Sequence, residues 1–198
     1  MSLVICDVGG VLCDGTDVRP TLAASLGLTR EAFEALSGPD AFRALLCGTL
    51  TEAAFWDHFS SGFGRTLPAD LWSTFFDPRL DEEMAQLVRF LRETSRVVAG
   101  TNTIESHYDA LLRTGWYGLF DAVYASHRIG TAKPDPRFYQ HILEEEGCAP
   151  SEAFFIDDEP GRVAAARALG LSAHVYTGAP GLRRDLERRG LVPPERSS

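Results

Sequence analysis

The chain has no excess of positive charge: 19 Lys and Arg stand against 28 Asp and Glu, a formal net charge of −9. That balance argues against a nucleic-acid backbone or an anionic membrane as partner. It leaves room for a local positive site that takes a small phosphorylated substrate. No apolar run approaches the ~20 residues of a membrane span. The first apolar run has no basic region ahead of it and is too short for a signal peptide, which predicts a cytoplasmic protein. Cysteine is scarce, and Cys6, Cys13, Cys47 and Cys148 show neither Cys-x-x-Cys nor metal spacing, so a disulfide framework is not expected. Nor is a catalytic thiolate, for want of a cationic neighbour to stabilise one. Internal repeats and low-complexity segments are lacking too.

What is present is an ordinary globular composition, 44% apolar over 198 residues, enough for one domain with an insert. The stretch Leu3-Val4-Ile5-Cys6-Asp7-Val8-Gly9-Gly10-Val11-Leu12 organises the rest. Its apolar start reads as a buried strand of a parallel sheet. Asp7 then falls at the strand's carboxyl end, where open α/β sheets bind ligands. A carboxylate there serves as nucleophile, metal ligand or both; the plainer reading is a helix N-cap or turn aspartate.

Residues 15–80 read as helical, rich in Phe and Trp, with no convincing strand. Thr29 caps a helix over 30–36, Gly38-Pro39 breaks it, and a second helix follows over 40–46. Thr49 and Glu52 have capping-box spacing ahead of Ala53 to Phe59. Pro68 opens another helix through Leu71, Trp72, Phe75 and Phe76. From Asp81 onward strands and helices alternate. Met84, Leu87, Val88 and Leu91 mark one helix face. Strands are expected at 96–99, 122–125, 153–156 and 172–176, with helices over 106–112, 136–146, 163–169 and 182–189. Val192 to Ser198 reads as a frayed tail. The fold class is α/β: a doubly wound parallel sheet from residues 1–14 and 81–198, with an α-helical cap at 15–80.

Polar residues collect where these strands stop. They are Asp7, then Thr101 and Asn102, then Lys133 in the loop beyond the third strand, then Asp157 and Asp158. In a parallel sheet these ends share one edge. Crowded carboxylates repel and call for a cation, and hard oxygen ligands suit Mg2+ together with a phosphate. Taken singly, Thr101 or Asn102 reads as a helix cap, Lys133 as a solvated loop lysine, and Asp157-Asp158 as a helix start.

Asp7-Val8-Gly9-Gly10-Val11-Leu12, Gly100-Thr101-Asn102, Lys133-Pro134 and Phe154-Phe155-Ile156-Asp157-Asp158 resemble the four motifs of the haloacid dehalogenase-like (HAD) hydrolase superfamily. Within it the chain is most similar to small bacterial sugar-phosphate phosphatases and to the phosphatase domain of soluble epoxide hydrolase. The resemblance implies a Mg2+-dependent phosphatase acting on a small phosphorylated metabolite, a sugar phosphate being one candidate. Asp7 would attack phosphorus and become an aspartyl-phosphate. Mg2+ would be held by the Asp7 carboxylate, the Gly9 carbonyl and Asp158, with Asp157 a more distant ligand. Thr101 and Asn102 would hold phosphoryl oxygens, Lys133 would balance charge, and the cap would close over the substrate.

One departure stands out. The superfamily's phosphatases usually carry an acid–base aspartate two residues after the nucleophile, where this chain has Gly9. Such help is typically worth ~10²–10⁴-fold. Asp14 is a substitute, its alternative role being a turn residue with Gly15. Two other readings are a metal-free 2-haloacid dehalogenase, and a non-catalytic protein that retains the site. Of five histidines only His58 suggests substrate contact; the aromatic residues of 55–76 read as a core.

Overall fold

The computed structural model describes residues 3–38 and 40–193. Pro39 of the expected break and residues 194–198 of the expected frayed tail lie outside the described residues. Val192, placed by sequence in that tail, is instead buried against the main core.

The chain opens with β1 (Leu3–Cys6) and a two-residue strand β2 (Cys13–Asp14). Five helices follow: α1 (Arg19–Ser25), α2 (Arg30–Ser37), α3 (Ala41–Leu46), α4 (Glu52–Phe63) and α5 (Leu71–Thr74). Strand β3 (Arg79–Leu80) returns the chain to α6 (Glu82–Leu91), β4 (Arg96–Thr101) and α7 (Glu105–Thr114). The remainder is β5 (Ala122–Ala125), α8 (Ser126–Ile129), α9 (Pro136–Glu145), β6 (Ala153–Asp157), α10 (Pro160–Ala168), β7 (Ser172–Val175) and α11 (Ala179–Arg188).

The five long strands form one parallel sheet in the order β5-β4-β1-β6-β7. β1 sits in the middle, in register with Val97 to Ala99 on one side and Phe154 to Ile156 on the other. Side chains of a strand alternate between faces, and both faces of this sheet are dry. Val4 and Cys6 point towards Met84, Val88 and Leu91 of α6 and Leu182 and Leu186 of α11. Leu3 and Ile5 point towards Phe138, Tyr139 and Ile142 of α9 and Val163 of α10. That is why β1 lacks polar alternation, and it is the doubly wound architecture expected from the apolar runs.

The helices α1 to α5 build a separate core. Leu22, Phe33, Leu45, Phe55, Trp56, Phe59 and Trp72 are buried together, joined by Ile104 from the sheet side. Most of the aromatic pairs pack edge-on or tilted, for example Phe55 against Trp56 with ring centroids 5.0 Å apart, while Phe55 and Phe59 are stacked, arrangements their quadrupoles favour.

Three local readings of the sequence are corrected. The α4 cap is Thr51, whose hydroxyl accepts from the Ala54 amide, and not Thr49. Thr49 belongs to the end of α3, since its amide and hydroxyl both donate to the Ala44 carbonyl. The helix opened by Pro68 is short, and Phe75 and Phe76 lie beyond it. Residues 15–80 also contain a strand after all: Arg79 and Leu80 pair antiparallel with Asp14 and Cys13.

Candidate active site

The topology decides which strand ends meet. β4, β1 and β6 are neighbours, so Thr101 at the end of β4, Asp7 just after β1, and Asp157 at the end of β6 stand side by side. Asp7 is held by a backbone bond from its amide to the Ile156 carbonyl at 2.8 Å. Its Oδ1 accepts the Val8 amide at 2.7 Å. Asp158 follows Asp157 directly. The carboxylates of Asp7, Asp157 and Asp158 each offer one oxygen within 4.8 Å of the others.

Lys133 is buried between Asp7 and Asp157. Its Nζ lies 2.8 Å from Asp7 Oδ2 and 2.7 Å from Asp157 Oδ2, and donates to the Gly100 carbonyl at 2.8 Å. Three short contacts satisfy the three donors of an ammonium, which is what permits its burial. Asn102 fixes this loop rather than standing apart. Its Nδ2 donates to the Lys133 carbonyl at 2.9 Å and its Oδ1 accepts the Lys133 amide at 2.8 Å.

Burial pushes the Asp7 carboxyl up to about 7, against the pull of Lys133 and with the repulsion of Asp157. Asp157 goes the other way. Its own burial would raise it, but Lys133 and Arg162 outweigh that and hold it below the usual range. Asp157 Oδ1 also accepts the Glu159 amide at 2.9 Å. Asp158 is raised by partial burial and by Asp157 beside it. Burial also raises the neighbouring thiols, Cys13 up to about 12 and Cys6 well above its ordinary value, which disfavours their thiolates.

The sequence reading missed Arg162. Its Nη1 lies 3.1 Å from Asp7 Oδ2, 3.4 Å from Asp157 Oδ1 and 4.0 Å from Asp158 Oδ1. The sequence did carry a signal. Arg162 sits in the first turn of α10, at the positive end of the helix dipole, where a cation is disfavoured unless carboxylates face it. Asp157 and Asp158 stand just upstream.

The carboxylates fit a hard divalent cation. The donor set is all oxygen. Gly10, with φ at +76°, leaves open the space into which a β-carbon would drive against the Asp158 carboxylate. Asp7, Gly9 and Asp158 line one cavity of about 440 Å3 between the sheet edge and the helical layer, with Thr101, Asn102 and Arg162. Asp14, Thr16 and Asp17 line it too, together with Phe42, Leu46, Trp72 and Phe76 of the helical segment and Ile104 from the sheet side. A β-carbon on Gly9 would strike the Thr16 hydroxyl. His58 does not line this cavity; His107 does, which the sequence reading had left without a role.

The family profile of haloacid dehalogenase-like hydrolases matches residues 1–170. The chain belongs to that family. This HAD-like hydrolase is 29% identical over 143 residues to the sesquiterpene phosphatase astK of Aspergillus oryzae, a match covering 63% of this chain and 73% of that protein. It is 33% identical over 100 residues to phosphatase MT3486 of Mycobacterium tuberculosis, covering 48% of this chain and 46% of that one. Among solved structures, the HAD family enzyme bt-2542 of Bacteroides thetaiotaomicron, in complex with magnesium and inorganic phosphate, superposes with a TM-score of 0.73. That match has 24% identity and covers 88% of this chain and 93% of the other. The HAD-like chain is thus a hydrolase with phosphatases among its relatives. None of its described helices is long and apolar enough to cross a membrane.

Proposed function

We propose that this HAD-like hydrolase is a Mg2+-dependent phosphomonoesterase working through an aspartyl-phosphate on Asp7. The observation that carries the reading is the convergence of Asp7, Asp157 and Asp158, with Lys133 paired to the first two, beside a cavity that Asp7 and Asp158 line. The phosphatase names of two relatives and the magnesium and phosphate in the bt-2542 structure support it.

In this reading an Asp7 carboxylate oxygen attacks phosphorus, the ester oxygen leaves as the alcohol, and water then cleaves the acyl phosphate to return Asp7 and inorganic phosphate. Lys133 keeps Asp7 oriented and compensates its charge. Thr101 and Asn102 line the wall where the phosphoryl oxygens would sit, Asn102 also setting the Lys133 loop. Asp7, the Gly9 carbonyl and Asp158 would hold Mg2+, with Asp157 behind them. A bound Mg2+ would draw charge from the phosphoryl oxygens. Residues 15–80 act as the cap that keeps bulk water from the acyl phosphate.

Gly9 supplies no acid or base. Of the two cavity carboxylates on the cap side, Asp17 is occupied by Arg19, at 2.7 Å. Asp14 is left as the group to protonate the leaving oxygen. Phe42, Leu46, Phe76 and Ile104 give the cavity an apolar face that an apolar part of the ester could meet, beside polar groups such as Thr16 and Thr103 that could meet hydroxyls.

The test is a panel of prenyl, aryl and hexose monophosphates assayed with and without Mg2+, with Asp7→Asn as control. Hydrolysis that needs both Mg2+ and Asp7 supports the reading. Turnover of 2-haloacids after complete Mg2+ removal would replace it with the dehalogenase reading. Mg2+ binding without hydrolysis of any ester would replace it with the non-catalytic one.

A further inference from the structure

We propose that Arg162 is a built-in cation that competes with Mg2+ for the acidic cluster, and so sets the metal affinity of the site. This rests on the magnesium reading above. The carboxylates that would hold the metal, together with Asp157 behind them, are the three that Arg162 faces: Asp7 at 3.1 Å, Asp157 at 3.4 Å and Asp158 at 4.0 Å. One guanidinium nitrogen, Nη1, makes all three approaches, so it stands among the oxygens instead of at their rim. Its side chain is about a quarter exposed, 27%, and lines the cavity. It therefore has an open side towards which to withdraw, whereas Lys133 is sealed in.

The charges argue the same way. With Lys133 alone, three ionised carboxylates leave two negative charges, which one divalent ion balances. With Arg162 also in place only one negative charge remains, and a divalent ion overshoots it. Like charges in a partly buried site repel strongly. Arg162 and the metal must then weaken each other reciprocally, as any two ligands of one site do. Without the metal, Arg162 keeps the acidic cluster from repelling itself apart. With the metal, it is displaced towards the cavity. Arg162 is thus a positioning residue acting through the carboxylates.

The experiment titrates Mg2+ into metal-free protein by calorimetry, for wild type, Arg162→Gln and Arg162→Lys. Arg162→Gln should bind Mg2+ about tenfold more tightly, within the range usual for coupled ligands. Arg162→Lys, which keeps the charge, should stay close to wild type. Metal-free Arg162→Gln should melt below wild type, and saturating Mg2+ should close the gap. Unaltered wild-type protein provides a second readout that no folding defect can blur: phenylglyoxal labelling of Arg162, followed by mass spectrometry, should speed up when Mg2+ is added. Equal or weaker Mg2+ binding by Arg162→Gln, or labelling unchanged or slowed by Mg2+, overturns the competition and leaves the magnesium reading standing. No Mg2+ binding by any of the three proteins overturns both.

Discussion

The imidazole of His107 reaches across from α7 to the helical layer, where its Nε2 donates to the backbone carbonyl of Trp72 at 3.1 Å. Its ring lies stacked on Phe76, centroids 4.0 Å apart. Burial pushes its pKa from an ordinary 6.5 down to about 4, and the Trp72 carbonyl recovers only part of that. The folded protein therefore resists protonating a group that the unfolded chain protonates readily. His107 favours folding fully above pH 6.5, and that contribution is lost as the pH falls towards 4. The loss is roughly 3 kcal/mol over the window. Urea unfolding at a series of pH values should show a steeper acid loss for wild type than for His107→Gln; parallel curves would refute this.

Asp7→Asn should abolish phosphatase turnover while leaving the circular dichroism spectrum intact. The amide oxygen of Asn keeps an acceptor for the Val8 amide, so the loop after β1 has no reason to open. Undiminished turnover in this variant would remove Asp7 as the nucleophile.

Lys133→Met should cost stability as well as activity. It leaves Asp7 and Asp157, both buried, without the ammonium they share at 2.8 and 2.7 Å. Removing one partner of a buried ion pair typically costs about 3–5 kcal/mol. Denaturant melts of the metal-free protein would measure it.

Gly10→Ala adds a left-handed residue, at about 1–2 kcal/mol, and a β-carbon directed into the Asp158 carboxylate. A modest fall in melting temperature should accompany a much larger loss of Mg2+ affinity. Calorimetry and thermal melts on the same sample separate the two effects.

Asp14→Asn should flatten one limb of the pH–rate profile if Asp14 protonates the leaving oxygen. It should matter least for esters with acidic alcohols, which depart without a proton. A profile unchanged for prenyl and aryl esters alike would exclude Asp14 from the chemistry.

The sheet was legible because its strands are contiguous apolar runs, and parallel strands buried on both faces need that composition. The polar residues ending β1, β4 and β6 were legible only together: each reads singly as a cap or turn residue, but the ends of neighbouring parallel strands share one edge. The elements that escaped are those too short to show a period. β2 and β3 have two residues each and α8 has four. α1 was hidden because Val18 offers it no side-chain cap. Thr49 and Thr51 are chemically alike, and only the tertiary turn at Ala44 tells which of them starts α4. Arg162 escaped because the contact that carries it into the site is to Asp7, 155 residues away, which only the folded sheet brings near.

The pairing of Cys13 with Leu80 and Asp14 with Arg79 brings the exit and the re-entry of the helical segment onto a single narrow neck. Whatever is threaded between those two points need not disturb the strands beneath it. A different set of helices, or a shorter loop, grafted across the same rung would meet an unchanged row of acids. If the proposed roles hold, selectivity would be exchangeable as a module while the acidic groups stay where they are.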